Sequence, residues 1–258
     1  MPDLLLQDSY RTGEPLLRVT ALWHYPIKST LGEAVPRLDL DERGAVGDRL
    51  YAIADAAGKL GSGKTTERFT RIDNLLALSA KIKTGTVQVV FPDGREINIG
   101  SDDLGDELSG FLGQPVTLKR EQAIPHHDDS AVHLLLSSEL DGLQTLLPDA
   151  VIDPRRFRAN MLLQTPAGMT GGDLVDTVLA LGSVRLQVTH KTERCRMVTL
   201  AQEDFGYDPR VLRTIVQEFD VDFGIYAKVL KPGSVQVGDA VDMAPGPRTD
   251  FRGNALGI

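Results

Sequence analysis

Short runs of alternating apolar and polar residues, cut by glycine and proline, dominate this chain. Leu17-Arg18-Val19-Thr20-Ala21-Leu22-Trp23 alternates until Pro26 ends it, the period of a strand with one buried face. Residues 50–55, 87–91, 116–119, 158–164 and 184–188 carry the same signature. In the last, Val184, Leu186 and Val188 share one face while Arg185 and Gln187 share the other. Residues 226–230 and 234–241, joined by Lys231-Pro232-Gly233, predict a closing hairpin. Helical spacing is rarer. Ser137 or Ser138 can cap a helix with Leu140, Leu143, Leu146 and Leu147 on one stripe, stopped by Pro148. Asp208-Pro209 is a cap followed by proline at the first helical position, and Val211, Leu212, Ile215, Val216 and Phe219 form an apolar face. Residues 102–112, ended by Gly113, predict a third helix.

Many strands with three modest helices predict an α+β, mainly β protein of two β-barrel-like subdomains with a few short helices. The acidic, histidine-containing stretch 125–130 marks the expected seam, dividing 17–124 from 125–244. Residues 1–16 and 245–258 show no clear period and predict loose termini.

Composition narrows the function classes. The 41% apolar content supports a real core, and the net charge of −8 argues against a nucleic-acid partner, which requires a field of Lys and Arg. With one cysteine there is no internal disulfide. No run of 18 or more apolar residues is present to span a bilayer, and Asp3, Asp8 and Glu14 interrupt any export signal. A soluble cytoplasmic protein is the expectation, and an anionic small ligand remains compatible with a local basic pocket.

The single cysteine, Cys195, sits in Glu193-Arg194-Cys195-Arg196-Met197-Val198, just past a strand signature. Flanking guanidinium groups favour the thiolate, the form that attacks electrophiles and binds soft metals. The other reading is a small hydrophobe filling a gap. Both stay open on residue type alone.

Three other motifs carry less. Gly58-Lys59-Leu60-Gly61-Ser62-Gly63-Lys64-Thr65 satisfies the literal phosphate-loop pattern, but that mechanism needs a helix starting at the lysine inside a βαβ unit. Thr66-Glu67-Arg68-Phe69-Thr70-Arg71 has no apolar helical stripe, so a glycine-rich β turn with Lys64 on the surface accounts for it better. His126, His127, Asp128, Asp129 and His133 lack the helical i, i+4 spacing of a metal pair and predict a polar loop. No Gly-x-Ser-x-Gly elbow anchors a serine hydrolase triad.

The remaining polar signals fall in a fixed order: Tyr25-Pro26-Ile27-Lys28-Ser29, Gly44-Ala45-Val46-Gly47-Asp48-Arg49, Asp153-Pro154-Arg155-Arg156-Phe157-Arg158-Ala159-Asn160, Arg194-Cys195, and Pro232-Gly233-Ser234-Val235-Gln236-Val237-Gly238-Asp239. From about residue 17 to 243 the chain resembles the MOSC proteins, named for the C-terminal domain of molybdenum cofactor sulfurase, together with the β-barrel domain that precedes it in the amidoxime-reducing group.

The resemblance implies that Cys195 either ligates molybdenum in a molybdopterin cofactor or carries sulfur as a persulfide. It also implies that Lys28, Ser29, Arg49, Arg158 and Asn160 hold the pterin and its phosphate, and cationic, amide and hydroxyl donors suit such a ligand. Two departures stand out. Where many relatives carry an acidic pair and a tryptophan near the metal, this chain has Gly171-Gly172-Asp173-Leu174-Val175-Asp176. After His133, where relatives show small hydroxyl residues, it has Leu134-Leu135-Leu136-Ser137-Ser138-Glu139; Glu139 would either face the anion site or favour a helix dipole.

The implied activity is molybdenum-dependent reduction of a small N- or S-oxygenated substrate. A separate reductase would supply electrons, since one cysteine cannot build an iron–sulfur cluster. The alternatives are a persulfide carrier served by a cysteine desulfurase, and a member that has lost molybdenum and has another binding or catalytic role. Nothing in the sequence calls for pyridoxal phosphate.

Overall fold

In the computed structural model, which describes residues 17–247, the dominant unit is a closed barrel. Its ring runs Met161–Gln164, Val132–Leu136, Asp222–Lys231, Val184–Glu193, Thr177–Leu181, Ala240–Pro245 and Leu17–His24, and the last strand pairs back onto the first. One pair in the ring, Val132–Leu136 with Met161–Gln164, is parallel; the others are antiparallel. Closure leaves no edge to aggregate. Alternation fills the interior with Leu17, Val19, Leu134, Leu136, Met161, Leu163, Leu179, Val184, Leu186, Val188, Ile225 and Val241. Bulges in Val184–Glu193, between Val188 and His190 and between Lys191 and Glu193, bend the end of the strand that leads to Cys195.

The first half of the chain builds a smaller unit around a separate core of Ile27, Ile53, Leu75, Leu78, Val89, Phe91, Leu108 and Val116. It joins a sheet of Val116–Arg120, Tyr51–Asp55, Leu60–Ser62 and Phe69–Arg71, with Ile27–Lys28 beside Tyr51–Asp55, to a three-stranded sheet of Ser79–Lys83, Thr86–Val90 and Glu96–Asn98. Helix α1, Leu104–Leu112, packs Leu104, Leu108 and Leu112 inward and stops at Gly113, whose φ of 69° suits a residue without Cβ.

Two helices cover the barrel's outside. α2, Ser137–Leu146, buries Leu140 and Leu143 but leaves Leu146 half-exposed. α3, Pro209–Glu218, starts where the Asp208 carboxylate accepts from the Arg210 N–H at 3.0 Å and buries Val211 and Ile215. Both pack on Phe157, Val198 and Phe223, with Phe157 stacked on Phe223 at 4.6 Å between centroids.

The mainly β architecture and the three helices match expectation. Two local expectations fail. The closing hairpin does not form: Gly233–Gln236 pairs with Arg37–Asp41, because Val235 buries with Leu38 and Leu40. The strand expected from 158 begins at Met161, because Arg158 adopts a left-handed conformation. Residues 17–24 pair into the barrel that the later half otherwise builds. Residues 245–247 are held, with the Gly246 N–H on Asp176 O and Gln187 on Pro247 O; 1–16 and 248–258 lie outside the described residues. Among the described residues no helix is long and apolar enough to cross a membrane.

Candidate functional site

A basic pocket forms where the smaller unit meets the barrel. The Leu17–His24 strand runs out at Tyr25, and the turn that follows buries Lys28 and Ser29. Ser29, Arg49 and Arg158 all have positive φ, 63°, 51° and 57°. Non-glycine residues rarely adopt this conformation, and it persists only where surroundings enforce it. Here the enforcement is visible: the Arg49 N–H donates to Tyr25 O, and the Arg158 N–H closes the short Pro154–Phe157 turn on Arg155 O at 3.2 Å. That turn begins at Asp153, whose carboxylate accepts from the Arg155 N–H at 2.8 Å.

These backbones aim the charges at one another. The Tyr25 ring lies between two guanidiniums, Arg49 Cζ at 4.8 Å and Arg158 Cζ at 4.5 Å from its centroid. Arg49 Nη2 donates to Arg158 O at 2.8 Å, and Arg158 Nη1 donates to Thr30 O. Asp48 is fully buried, pairs with Arg49 and accepts the Tyr25 N–H at 2.8 Å. Burial works against the Asp48 carboxylate, but Arg49 holds it below its ordinary range. Lys28 Nζ is buried, bonds Asp128 Oδ1 at 2.7 Å and lies 4.5 Å from the Phe69 centroid. Burial pulls the Lys28 ammonium down despite Asp128. Burial, reinforced by Arg49, pushes Arg158 down to about 10. Lys28, Arg49 and Arg158 thus converge in one buried basic cluster.

Cys195, half-buried, lies next in the chain to Arg194, which reaches toward this cluster. It follows Glu193 and Arg194 out of the barrel strand and precedes the short turn Arg196–Thr199. Arg194 turns inward: Nη2 donates to Phe157 O at 2.7 Å, and Nη1 meets His133 Nε2 at 3.2 Å. Burial and the Arg194 charge hold His133 well below its usual range, so it accepts as neutral imidazole. Arg196 points the other way, with Nη1 on Gly63 O at 3.2 Å. The His133 N–H donates to Asn160 Oδ1 at 3.2 Å, which places that amide beside the same network.

Nine buried side-chain polar atoms have no hydrogen-bond partner among the described residues, and three of them are donors on predicted site residues or beside Cys195: Arg158 Nη2, Asn160 Nδ2 and Arg194 Nε. Unmade buried hydrogen bonds cost about 1–3 kcal/mol each, so these donors favour an acceptor that reaches them. The donor set fits an anionic heterocycle with several acceptors. Among the described residues no group of three His, Cys, Asp or Glu side chains is placed to hold a metal.

The sequence motifs assign no binding role to Tyr25, Asp48, Phe69, Asp128 and His133, although all but Phe69 lie within the motif stretches themselves. The 125–130 stretch is part of the wall, with Lys28 on Asp128 and His190 Nε2 on Asp129 at 3.1 Å. Glu139 does not face the anion pocket: it is buried and accepts the Gly171 and Gly224 N–H groups, each at 2.8 Å. The Gly171–Asp173 turn closes on itself, Asp173 accepting from Thr170. The glycine-rich segment forms a β turn at Gly58 and the strand Leu60–Ser62, with no helix after Lys64.

Comparison with known proteins agrees in kind. The family model for the MOSC domain matches residues 121–242, and that for the MOSC N-terminal beta barrel domain matches 16–136. A molybdenum cofactor sulfurase from Drosophila grimshawi is 24% identical over 271 residues, covering 88% of this chain; the chain spans 33% of that protein's length. The YuaD protein from Bacillus subtilis is similar with a TM-score of 0.49 at 14% identity, covering 91% of this chain and 99% of that one. YiiM from Escherichia coli has a TM-score of 0.43 at 10% identity, covering 89% and 71%.

Proposed function

Because the chain belongs to the MOSC family, we propose that it binds a molybdenum-pterin cofactor and reduces a small N- or S-oxygenated compound. The observation that carries this reading is the set of three partnerless donors, on Arg158, Asn160 and Arg194, in a pocket walled by Lys28 and Arg49. Lys28, Arg49 and Arg158 would meet the phosphate, Ser29 and Asn160 would orient the ring system, and Cys195 would hold the metal. When bound, the molybdenum centre supplies the two electrons that removing one oxygen as water requires. The chain's own contribution is charge, orientation and exclusion of water. His133, fixed as neutral imidazole against Arg194, keeps a second positive charge away from the thiol segment.

A second reading, sulfur transport as a Cys195 persulfide, is supported by the match to a protein named molybdenum cofactor sulfurase over 88% of this chain. The short Gly171–Asp173 turn also leaves no acidic pair free to assist at a metal.

Elemental and pterin analysis of purified wild type and Cys195→Ser separates the readings. Stoichiometric molybdenum and pterin in wild type, with the metal lost and the melting temperature unchanged in Cys195→Ser, is the expected result. Labile sulfur on Cys195 after treatment with a cysteine desulfurase, without molybdenum, would replace the first reading with the second.

A further inference from the structure

We propose that Lys64, in the segment that imitates a nucleotide phosphate loop, is a further cation of the basic pocket and contacts a phosphate monoester there. The inference rests on the phosphate-bearing ligand proposed above and adds a residue to its wall.

The segment is pinned at the seam from both sides. Leu60–Ser62 pairs in parallel with Phe69–Arg71, which brings Phe69 beside the start of the loop. Gly63 packs against the segment after Cys195: a Cβ there would lie 2.5 Å from Met197 Sδ, and Arg196 binds its carbonyl. Lys64 Nζ comes within 5.9 Å of the Phe69 centroid, and Lys28 Nζ lies 4.5 Å from the same ring. The two ammonium groups therefore lie near one aromatic side chain, which Arg68 also approaches at 5.2 Å. Lys64 also helps, after Lys28, to hold the Asp128 carboxylate below its ordinary range.

Charge counting gives the ligand class. Asp48 is matched by Arg49 and Asp128 by Lys28. Among the described residues Arg158, Arg194 and Lys64 make no ion pair with a carboxylate, and the acidic group Lys64 feels, Asp128, is already bonded to Lys28. Three cations without a direct ion pair favour a dianion over a carboxylate, and a lysine on a flexible stem meets phosphate as a point charge. This geometry is unrelated to nucleotide binding by a helix N-terminus, since no helix follows.

The test is calorimetric titration with inorganic pyrophosphate, using full-length chain made in a host that lacks the pterin. Lys64→Ala should weaken binding about 10- to 100-fold, Lys64→Arg should recover most of it, and Lys59→Ala, an exposed lysine of the same turn, should leave it unchanged. Because Lys64 is only half-buried, its variants should melt with wild type. Acetylation of Lys64 by acetic anhydride should also slow when pyrophosphate is present, and that of Lys59 should not. If Arg158→Ala loses pyrophosphate and Lys64→Ala keeps it, Lys64 is no part of the site and the pocket stands. Wild type that binds no pyrophosphate at millimolar concentration overturns the pocket and this inference together.

Discussion

The barrel interior and the seam pocket are both buried, and they are built on opposite terms. Inside the barrel, Leu17, Val19, Leu134, Leu136, Val184, Leu186 and Ile225 are fully enclosed and apolar, and their backbones are satisfied by closed pairing. At the seam, Lys28, Asp48, Arg158 and Asn160 are as deeply enclosed, yet their side chains carry charge or unmet donors. Burial in the first region stabilises the fold through the hydrophobic effect. In the second it opposes the fold and is tolerated because surrounding structure fixes it. Enclosure alone therefore does not say whether a residue serves stability or binding.

The largest expected effect sharpens this contrast on the barrel side. Leu134→Ala removes a side chain packed from a strand paired on both edges, with neighbours that cannot collapse into the gap. It should cost about 2–5 kcal/mol, measured as a shifted urea midpoint at unchanged m-value. A loss under about 1 kcal/mol would mean the interior is looser than its closed pairing indicates.

The next effect belongs to the seam and is read by pH. Burial, aided by Arg49, pushes His127 down to about 4, and burial also lowers His126 and His133. Unfolded histidines titrate near about 6.5, so between about pH 6.5 and 4 the unfolded chain takes up protons that the folded chain refuses. Stability should therefore fall as pH falls through that window, by about 1–2 kcal/mol from His127 between pH 7 and 5. Burial raises Glu139, which acts in the opposite sense, but it is one group against three histidines. His127→Gln should flatten the slope in paired thermal melts; an unaltered slope would remove His127 from the account.

How far these two regions were legible in the sequence follows from the range of the forces involved. Asp208-Pro209, Gly113 and the alternation of 17–23 are local signals, and the elements they announce formed within a few residues of expectation. The pairing of Gly233–Gln236 with Arg37–Asp41 joins positions almost two hundred residues apart, and Lys231-Pro232-Gly233 gave a false local alternative. In the pocket, Lys28, Arg49, Arg158 and Cys195 were nameable from ordered motifs. Tyr25, which spaces two guanidiniums, and Asp128, which neutralises Lys28, have roles only through contacts made by folding. Glu139 shows the same limit: Gly224, held at φ 86° where an added Cβ would lie 2.7 Å from Leu134 O, is what turns its N–H toward that carboxylate.

The smallest effect on stability is expected where the effect on binding is large. Arg158 is enclosed, shifted down by its own burial, and leaves Nη2 without a partner. Arg158→Met keeps volume and apolar contact with the Tyr25 ring while removing a desolvated cation, and it gives up the bond to Thr30 O. These terms oppose each other, so stability should stay within about 1 kcal/mol of wild type and can rise, as when buried charges give way to apolar residues of similar size. Pterin retained after purification should nevertheless fall by about one to two orders of magnitude, because a charge-assisted contact is lost from the ligand. Arg18→Ala removes the same formal charge at a site where Arg18 Nη1 only meets the exposed Gly238 O, and it should alter neither quantity. If Arg158→Met instead unfolded the protein as Leu134→Ala does, the seam would be a second core, and the separation between stability and binding drawn here would not hold.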